Sequence, residues 1–267
     1  MKLYKSDLFG DIKQPESFLE LLGLITENNI EGSFNVKMWR GQGDINWRID
    51  SGAYRRLAYS SNHDKNIREL DIANYEMTLL RQAKHKGFGY SKGRRLSDFE
   101  LLAKLQHHGA ATRFVDFSKN CLVALWFCID NSLDKTGLLF GVHTDYLGGN
   151  LEGSIRNLDD TYNEFMLGLS KYDVPFFIEP PVVSPRIAAQ HGVFLYSKLS
   201  NDKTGSLKLA EEEIGNIFIA ISPELKLEVK GILTTAFDIR GATLFPDLDG
   251  FSKFHAASIH TDEIWRW

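Results

Sequence analysis

The sequence predicts an α+β fold, because apolar residues recur with a period of two in some segments and near 3.6 in others. Residues 33–40 alternate apolar and polar side chains, as in a strand with one buried face. Residues 97–109 and 118–129 have apolar side chains at helical spacing. Because no repeat or long linker divides the 267 residues, we expect one domain.

Composition argues against several classes of protein. The net charge of −4 gives no strong field that would attract nucleic acid or an acidic membrane. Cys121 and Cys128 lie in apolar surroundings, which favours two buried thiols over a metal site. We expect a cytoplasmic protein with no membrane partner, because residues 1–20 lack a signal-peptide pattern and the apolar run 121–129 is too short to cross a bilayer.

The first part of the chain is predicted to contain two helices and one strand. Apolar residues at helical spacing predict helices over residues 15–28 and 65–86, with the strand 33–40 between them. Residues 47–55 are predicted to form a loop or short strand. Three glycines and four cations over 86–95 predict a mobile loop.

The central segment is predicted to be two helices joined by a polar loop. Ser97 and Glu100 form a capping-box pattern at the start of the first helix, and Gly109 is a plausible end. The second helix runs from near Ser118 to Ile129 and is apolar on all faces, which places it in the core. The polar residues between the helices must satisfy one another by hydrogen bonds or face a ligand.

The second half of the chain is predicted to alternate short strands and helices. Prolines restrict the extended segment 174–181 to the edge or the ends of a sheet. Ser222 and Pro223 are an N-cap and N1 pair that open a helix. The remaining predictions are strands at 137–143, 193–196 and 216–221, a turn at 147–150, weak helix at 159–170, a helical turn at 185–192, and a short helix after 243–250.

One arginine is in an unusual place. Continuing the alternation of residues 33–40 puts Arg40 on the apolar face, at a strand end followed by Gly41 and Gly43. A guanidinium cannot lose its charge, so it needs a carboxylate, carbonyls or an anionic ligand. Two interpretations stay open. One is a ligand site, with glycines that allow a ligand or a second backbone segment to approach. The other is an internal salt bridge, with Asp116 as a candidate partner.

Other chemical signatures are missing from the sequence. No His, Cys and carboxylate cluster has metal-ligand spacing, so we expect no metal. No phosphate-binding Walker loop or nucleophile elbow is present, which leaves kinase and hydrolase interpretations without support. The basic clusters Arg48, Arg55 and Arg56, and residues 92–95, are short enough to be ordinary solvated surface.

Several ordered motifs together resemble the FRG domain, a family named for its Phe/Tyr-Arg-Gly signature. Trp39 stands where that family has Phe or Tyr. The resemblance implies a single FRG-type domain over residues 1–267, with a core over about 35–255 and an N-terminal helical extension over 1–32. The matching motifs are Trp39-Arg40-Gly41-Gln42 with Trp47, Gln106-His107-x-Gly109-x-x-Thr112-Arg113-x-x-Asp116, Ala124-x-x-Phe127, Arg186-x-x-x-Gln190-x-Gly192-x-Phe194, and residues 244–250.

The order of elements is more distantly similar to the ADP-ribosyltransferase fold. That resemblance implies a split mixed or antiparallel β-sheet flanked by helices. In such enzymes an early strand ends in Arg-Gly or His-Gly, a middle strand ends in a Ser/Thr or Tyr element before a helix, and a late strand supplies a glutamate. Arg40-Gly41 and Phe117-Ser118 match the first two places, but Gln190 stands nearest the glutamate, with Glu179 behind it.

These resemblances imply a toxin or phage-defence effector that uses NAD to modify RNA, DNA or protein, with a possible antitoxin partner. His107 is a candidate base or a buried polar residue, and Arg113 and Asp116 are candidates for a structural pair as well as for the site. The alternative is a non-catalytic FRG module that binds nucleic acid or protein. An aromatic ring, Phe117 or Trp47, would stack on the nicotinamide or adenine of NAD. The implied catalytic residues are Gln190, His107 and Asp116, and the implied NAD-binding residues are Arg40, Gly41, Gln42, Trp47, Thr112, Arg113, Phe117, Ser118 and Arg186.

Overall fold

The computed structural model describes residues 1–27, 37–60, 66–147, 162–163, 166, 174–179, 184–209 and 215–256. The predicted weak helix at 159–170, most of the turn at 147–150 and the start of the predicted strand at 33–40 lie largely outside these residues. The strands are β1 (Lys2–Ser6), β2 (Gly10–Gln14), β3 (Lys37–Gln42), β4 (Tyr90–Ser91), β5 (Arg94–Arg95), β6 (Val115–Ser118), β7 (Gly137–His143), β8 (Phe176–Ile178), β9 (Gly192–Tyr196) and β10 (Asn216–Ile221).

Helices cover the sheet and connect its strands. Several begin at the caps that the sequence predicted: Ser97 and Glu100 cap each other's backbone amides, and Ser222 accepts a hydrogen bond from the Leu225 amide. The helices are α1 (Phe18–Thr26), α2 (Gly52–Ser60), α3 (Glu69–His85), α4 (Asp98–His107), α5 (Cys121–Ile129), α6 (Pro185–Ala189), α7 (Pro223–Ala236), α8 (Gly241–Leu244) and α9 (Leu248–Phe254).

The main sheet has eight strands in the order β1-β2-β10-β7-β3-β6-β9-β8. Neighbouring strands are antiparallel except β2 and β10, which are parallel. The predicted α+β class with a mixed sheet is therefore confirmed. The proline-flanked segment forms β8 at the edge of the sheet, as predicted, where a missing amide does not interrupt a ladder.

Helices α1, α5 and α7 pack on one face of the sheet. Successive side chains of a strand point to opposite faces, so an apolar run makes both faces of the sheet apolar. On β7, Leu139 faces these helices, while Leu138 and Phe140 belong to the opposite core. Helix α5 is central, as its all-round apolar sequence predicted, although Cys128 is fully buried and Cys121 only partly. Asn120 caps it, so the helix begins after residue 120 and not near Ser118.

Gly41 allows β3 to lie directly against α5. A Cβ atom at this position would be 1.9 Å from the carbonyl oxygen of Ala124. The close approach of a second backbone segment, one of the two roles predicted for Gly41, is therefore made by a helix. Gly141 on β7 similarly leaves room for the indole of Trp39, since a Cβ there would be 2.7 Å from the ring.

Four predictions about local structure need correction. Residues 1–32 are not simply a helical extension, because β1 and β2 pair with each other and join the sheet through β10. Residues 52–60 are helical, since Ser51 accepts a hydrogen bond from the Tyr54 amide and opens α2. The polar loop predicted between α4 and α5 contains β6. The loop predicted at 86–95 contains the hairpin of β4 and β5, whose turn residues Lys92 and Gly93 both have positive φ.

Candidate functional site

The site lies where two central strands separate. β3 and β6 share one register pair, Trp39 with Ser118, although β3 continues to Gln42. The Arg40 guanidinium spans the resulting gap, because its Nη1 donates a hydrogen bond of 2.9 Å to the carbonyl oxygen of Asp116. A cleft of about 780 Å³ lies at this place, within the range of small-molecule sites.

Most of the residues that the sequence nominated line this cleft, although they come from separate parts of the chain. Thr112 and Arg113 are the exceptions and lie outside the lining. The nominated residues on the lining are Arg40, Gly41, Gln42, Trp47, His107, Asp116, Phe117, Ser118, Arg186 and Gln190.

Arg40 is partly buried at the centre of the cleft. Its Nε lies 3.3 Å from Gln42 Oε1, and its Nη1 donates to the Asp116 backbone. Both acceptors are neutral oxygens, and among the described residues no carboxylate lies within ion-pair distance of Arg40. Burial lowers the pKa of the guanidinium below its usual value, and the charge of Asp116 opposes this shift while that of Arg55 adds to it. The predicted internal salt bridge to Asp116 is thus a backbone hydrogen bond.

The carboxylate of Asp116 is exposed and is held by one neighbour. Gln106 Nε2 donates to its Oδ1 at 2.7 Å and lies 3.3 Å from the Phe114 carbonyl oxygen. The Thr112 hydroxyl in turn donates to Gln106 Oε1. Thr112 therefore orients Gln106 from behind, and Gln106 orients Asp116.

Arg113 belongs to a buried network on the far side of this loop. Its backbone amide donates to Glu76 Oε1 at 2.6 Å, and its guanidinium pairs with Glu69 and lies over the Tyr196 ring. Tyr162 and Tyr196 donate to Glu76 Oε2 at 2.6 and 3.0 Å. Arg113 Nε and Nη2 are buried without a hydrogen-bond partner among the described residues, but the guanidinium is paired with Glu69 and Glu76 inside the core. This placement supports the structural interpretation of Arg113.

Of the two aromatic residues predicted to stack on a ligand ring, only Trp47 has an exposed ring. Trp47 as a whole is 49% exposed. Phe117 is buried, with its ring 5.6 Å from that of Phe140 in a T-shaped arrangement. The Gln42 side chain donates to the Trp47 carbonyl oxygen at 3.0 Å, so Gln42 supports the loop that carries Trp47.

Ser118 and Gln190 connect the end of β6 to the end of α6. The Ser118 hydroxyl donates to the Gln190 carbonyl oxygen at 2.7 Å and accepts from the Asn120 amide. Gln190 Nε2 donates to the Leu244 carbonyl oxygen at 3.0 Å. Glu179 was the second candidate for the glutamate that a late strand supplies in ADP-ribosyltransferases. It pairs with Lys119 and does not line the cleft.

Arg186 and His107 meet at Asp247 on the rim. Arg186 donates two hydrogen bonds of 2.7 Å to the Asp247 carboxylate and lies over the Phe245 ring. His107 Nε2 lies 3.7 Å from the same carboxylate, and its Nδ1 lies 3.3 Å from Ser184 Oγ. Burial, followed by the charge of Arg186, lowers the pKa of His107 below 6.5, so the ring is neutral at pH 7.

Sequence reasoning missed two cations of the lining. Arg48 and Arg55, expected to be solvated surface, line the cleft next to Trp47. The lining holds four arginines and two aspartates, so it is locally positive although the whole chain carries −4. Their position within fifteen residues of Arg40 was a usable signal.

A buried lysine supports the floor. Lys226 on α7 is fully buried, and its Nζ donates to the carbonyl oxygens of Gly43, Ser132 and Asn131 at 2.6, 2.9 and 3.4 Å. Gly43 and Asn131 line the cleft. Three carbonyl oxygens accept hydrogen bonds from the three donors of the ammonium. Lys226 therefore ties the segments that contain Gly43 and Asn131, at the floor of the cleft, to α7.

The described residues contain no group of three or more His, Cys, Asp or Glu side chains that could hold a metal. None of the helices among them is both long and apolar enough to span a membrane.

A family model described as the FRG domain matches residues 35–137, the segment that contributes β3, α4, β6 and α5 to the site. Comparisons with curated proteins and with solved structures found no match.

Proposed function

Since the chain carries an FRG domain, we propose that its cleft binds NAD and that the protein transfers ADP-ribose to a macromolecule, as a toxin or phage-defence effector. The observation that carries the proposal is the Arg40 guanidinium at the gap between β3 and β6, bonded to neutral oxygens and close to the Asp116 carboxylate. A cation and a carboxylate in one cleft suit a substrate that has an anionic pyrophosphate and develops positive charge on a sugar.

Arg40 binds the pyrophosphate in this proposal. A guanidinium recognises phosphate oxygens through planar, charge-assisted hydrogen bonds. Its two hydrogen bonds to Gln42 and to the Asp116 backbone fix its direction before the substrate arrives. Such preorganisation lowers the entropy lost on binding.

Asp116 stabilises the sugar during reaction. Cleavage of the bond between ribose and nicotinamide sends the bonding electrons to nicotinamide and leaves positive charge on the ribose. A carboxylate held by Gln106 stabilises that charge and accepts a hydrogen bond from a ribose hydroxyl. The acceptor nucleophile supplies the electron pair of the new bond, and its proton passes to a base.

His107 is the base in this scheme, because a neutral imidazole can accept a proton. It lines the cleft and is neutral at pH 7. Gln190 cannot remove a proton, and its amide nitrogen already donates to Leu244. Gln190 therefore positions the wall of the cleft through Ser118.

The alternative function is a non-catalytic module that binds nucleic acid or protein. It is favoured by the hydrogen bonds that many cleft residues make inside the protein, such as those of Arg186 with Asp247. In that case Arg40 and Asp116 act mainly in folding, so alanine variants at these positions lose stability and no NAD is consumed.

The test uses NAD labelled in the adenosine moiety, incubated with the purified chain and a mixture of cellular RNA, DNA and protein. We expect the parent to label one acceptor class and Arg40→Gln to label none. Arg81→Gln, at an exposed arginine on α3, is the control for loss of one charge. Asp116→Asn tests the carboxylate at nearly unchanged volume.

Thermal unfolding of each variant separates chemistry from folding. Folded Arg40→Gln protein that transfers label as well as the parent would contradict the role of Arg40. Folded parent protein that neither binds NAD nor transfers label would contradict the whole proposal and favour the binding module.

A further inference from the structure

The mouth of the cleft presents an aromatic ring between cations. Trp47 and Arg48 lie in the loop 43–51, and Arg55 lies on the following helix α2. Phe117, the other aromatic nominated for stacking, is enclosed by the core. Trp47 was predicted above to stack on a ring of NAD, but its surroundings indicate a different partner.

The loop holds the Trp47 ring towards solvent. Ile45 and Ile49 on either side of it are fully buried. The Trp47 amide donates to the Asp44 carbonyl oxygen at 3.2 Å, and its own carbonyl oxygen accepts from Gln42. Because the backbone is fixed on both sides, the half-exposed indole is a built feature of the loop. Among the described residues, no other aromatic ring stacks on it.

The two arginines beside it have different environments. Arg48 is 3.3 Å from the Asp50 carboxylate and lies over the Tyr54 ring. Arg55 is exposed, and no carboxylate of the described chain lies within ion-pair distance of it. It is near enough to Arg40 for the two like charges to oppose each other. Two like charges lining one cleft raise its local positive potential, which attracts an anion.

A polymer fits this place better than the donor does. A small molecule in a cleft buries most of its surface, so its rings belong in the interior. The half-exposed Trp47 lies at the border between the cleft and solvent, where a longer ligand would enter the site. An exposed indole flanked by guanidiniums is the combination that binds unpaired bases by stacking and the adjoining phosphates by charge.

We propose that Trp47, Arg48 and Arg55 form the acceptor subsite and that the acceptor is a single-stranded nucleic acid, with one base stacked on Trp47 and a phosphate at Arg55. This inference rests on the proposed function for the donor, which occupies the Arg40 and Asp116 side. A duplex does not fit, because its bases are stacked on one another and offer no free face.

The test measures the anisotropy of short labelled RNA and DNA single strands, and of the matching duplex, with the full chain and no NAD. We expect single strands to bind more tightly than the duplex. Trp47→Ala should weaken single-strand binding roughly 5- to 100-fold, and Trp47→Phe less, because a benzyl ring retains part of the stacking surface. Arg55→Gln should weaken binding and reduce the slope of log affinity against log salt by about one phosphate contact.

Two control variants keep the comparison specific. Phe88→Ala removes another exposed aromatic ring, and Arg81→Gln removes another exposed cation. Both should bind single strands like the parent, and thermal unfolding should show that all variants are folded. Binding by folded Trp47→Ala equal to that of the parent would overturn the subsite. Preference for the duplex, or equal competition by an acidic peptide, would also overturn it.

Failure of this inference is distinguishable from failure of the proposed function. Single-strand binding that depends on Trp47, with no NAD turnover, supports the subsite and contradicts the donor proposal. NAD turnover that labels only protein leaves the donor proposal intact and overturns the nucleic-acid acceptor.

Discussion

Arg186 and Asp247 form a bidentate ion pair with two hydrogen bonds of 2.7 Å, although they are 61 positions apart in the chain. The pair ties α6 to the start of α9 at the rim of the cleft. Both side chains are mostly buried, so screening by solvent is limited. The rim therefore depends on one carboxylate that also lies near His107.

Asp247→Asn should lower the free energy of unfolding by about 1 to 3 kcal/mol at pH 7, because a charge-assisted bidentate contact is lost. Hydrogen bonds from Arg186 hold the pKa of Asp247 below 3.8. The stability contributed by this carboxylate is thus present above the unfolded pKa and is lost as pH falls through the lower folded pKa. Urea unfolding at pH 7 and below pH 4 measures both effects. An Asn variant with the parent's stability at pH 7 would contradict the prediction.

His107→Gln should change how stability depends on pH near neutrality. Because burial lowers the pKa of His107 in the folded state, the unfolded chain binds the proton first as pH falls below about 6.5. The parent should therefore lose stability from this group below that pH, and the Gln variant should not. Urea unfolding across pH 5 to 8 checks the difference between the two curves. Parallel curves would mean that His107 titrates as an exposed histidine does.

Glu76→Gln should destabilise the fold without touching the cleft. Glu76 is fully buried and accepts hydrogen bonds from the Arg113 amide and from two tyrosines. Removing its charge leaves the positive charge of the buried Arg113 less well neutralised. We expect this to lower the free energy of unfolding by about 3 to 5 kcal/mol. Tyr162→Phe removes a hydroxyl that donates to Glu76 and lies 3.4 Å from the Tyr196 hydroxyl, but it leaves every charge in place, so it should cost only about 0.5 to 1.5 kcal/mol. Urea unfolding that ranks the two variants in the opposite order would contradict the network.

Gly41→Ala should prevent normal folding, since its Cβ would meet the backbone of Ala124 at 1.9 Å. Gly231→Ala is the matched control, because α7 has open space at that position and alanine is favoured in helices by about 0.5 to 1 kcal/mol. We expect little soluble Gly41→Ala protein, and a thermal midpoint at or above the parent's for Gly231→Ala. Folded, stable Gly41→Ala protein would show that β3 and α5 can move apart.

Strands with continuous apolar sequence could be predicted with their correct bounds. Gly137–His143 and Asn216–Ile221 are central strands, and each has the bounds predicted from its apolar run, which ends within one residue of the strand. α2 was missed although Ala53, Tyr54, Leu57 and Ala58 lie on one face of it, because this apolar stripe is short and Ser51 was not recognised as a helix cap. β1, the edge strand, and its neighbour β2 were missed because short strands with polar faces have little hydrophobic pattern.

The site was predictable where a local pattern carried it. The phase of the alternation nominated Arg40, and the cleft forms around that residue. Arg113 was nominated from the same polar segment as Asp116, yet its partners Glu69 and Glu76 come from α3. No local spacing reveals partners so distant, and for the same reason the support of Lys226 beneath Gly43 was not foreseen.

The interleaved strand order has a consequence for folding. The segment 35–137 that matches the FRG family ends where β7, a direct neighbour of β3, begins. β10 lies between β2 and β7, and β9 lies beside β6. A fragment limited to 35–137 would expose unpaired strand edges and is expected to aggregate. All strands of the sheet can pair only after most of the chain has been synthesised. The protein should therefore fold slowly and as one cooperative unit.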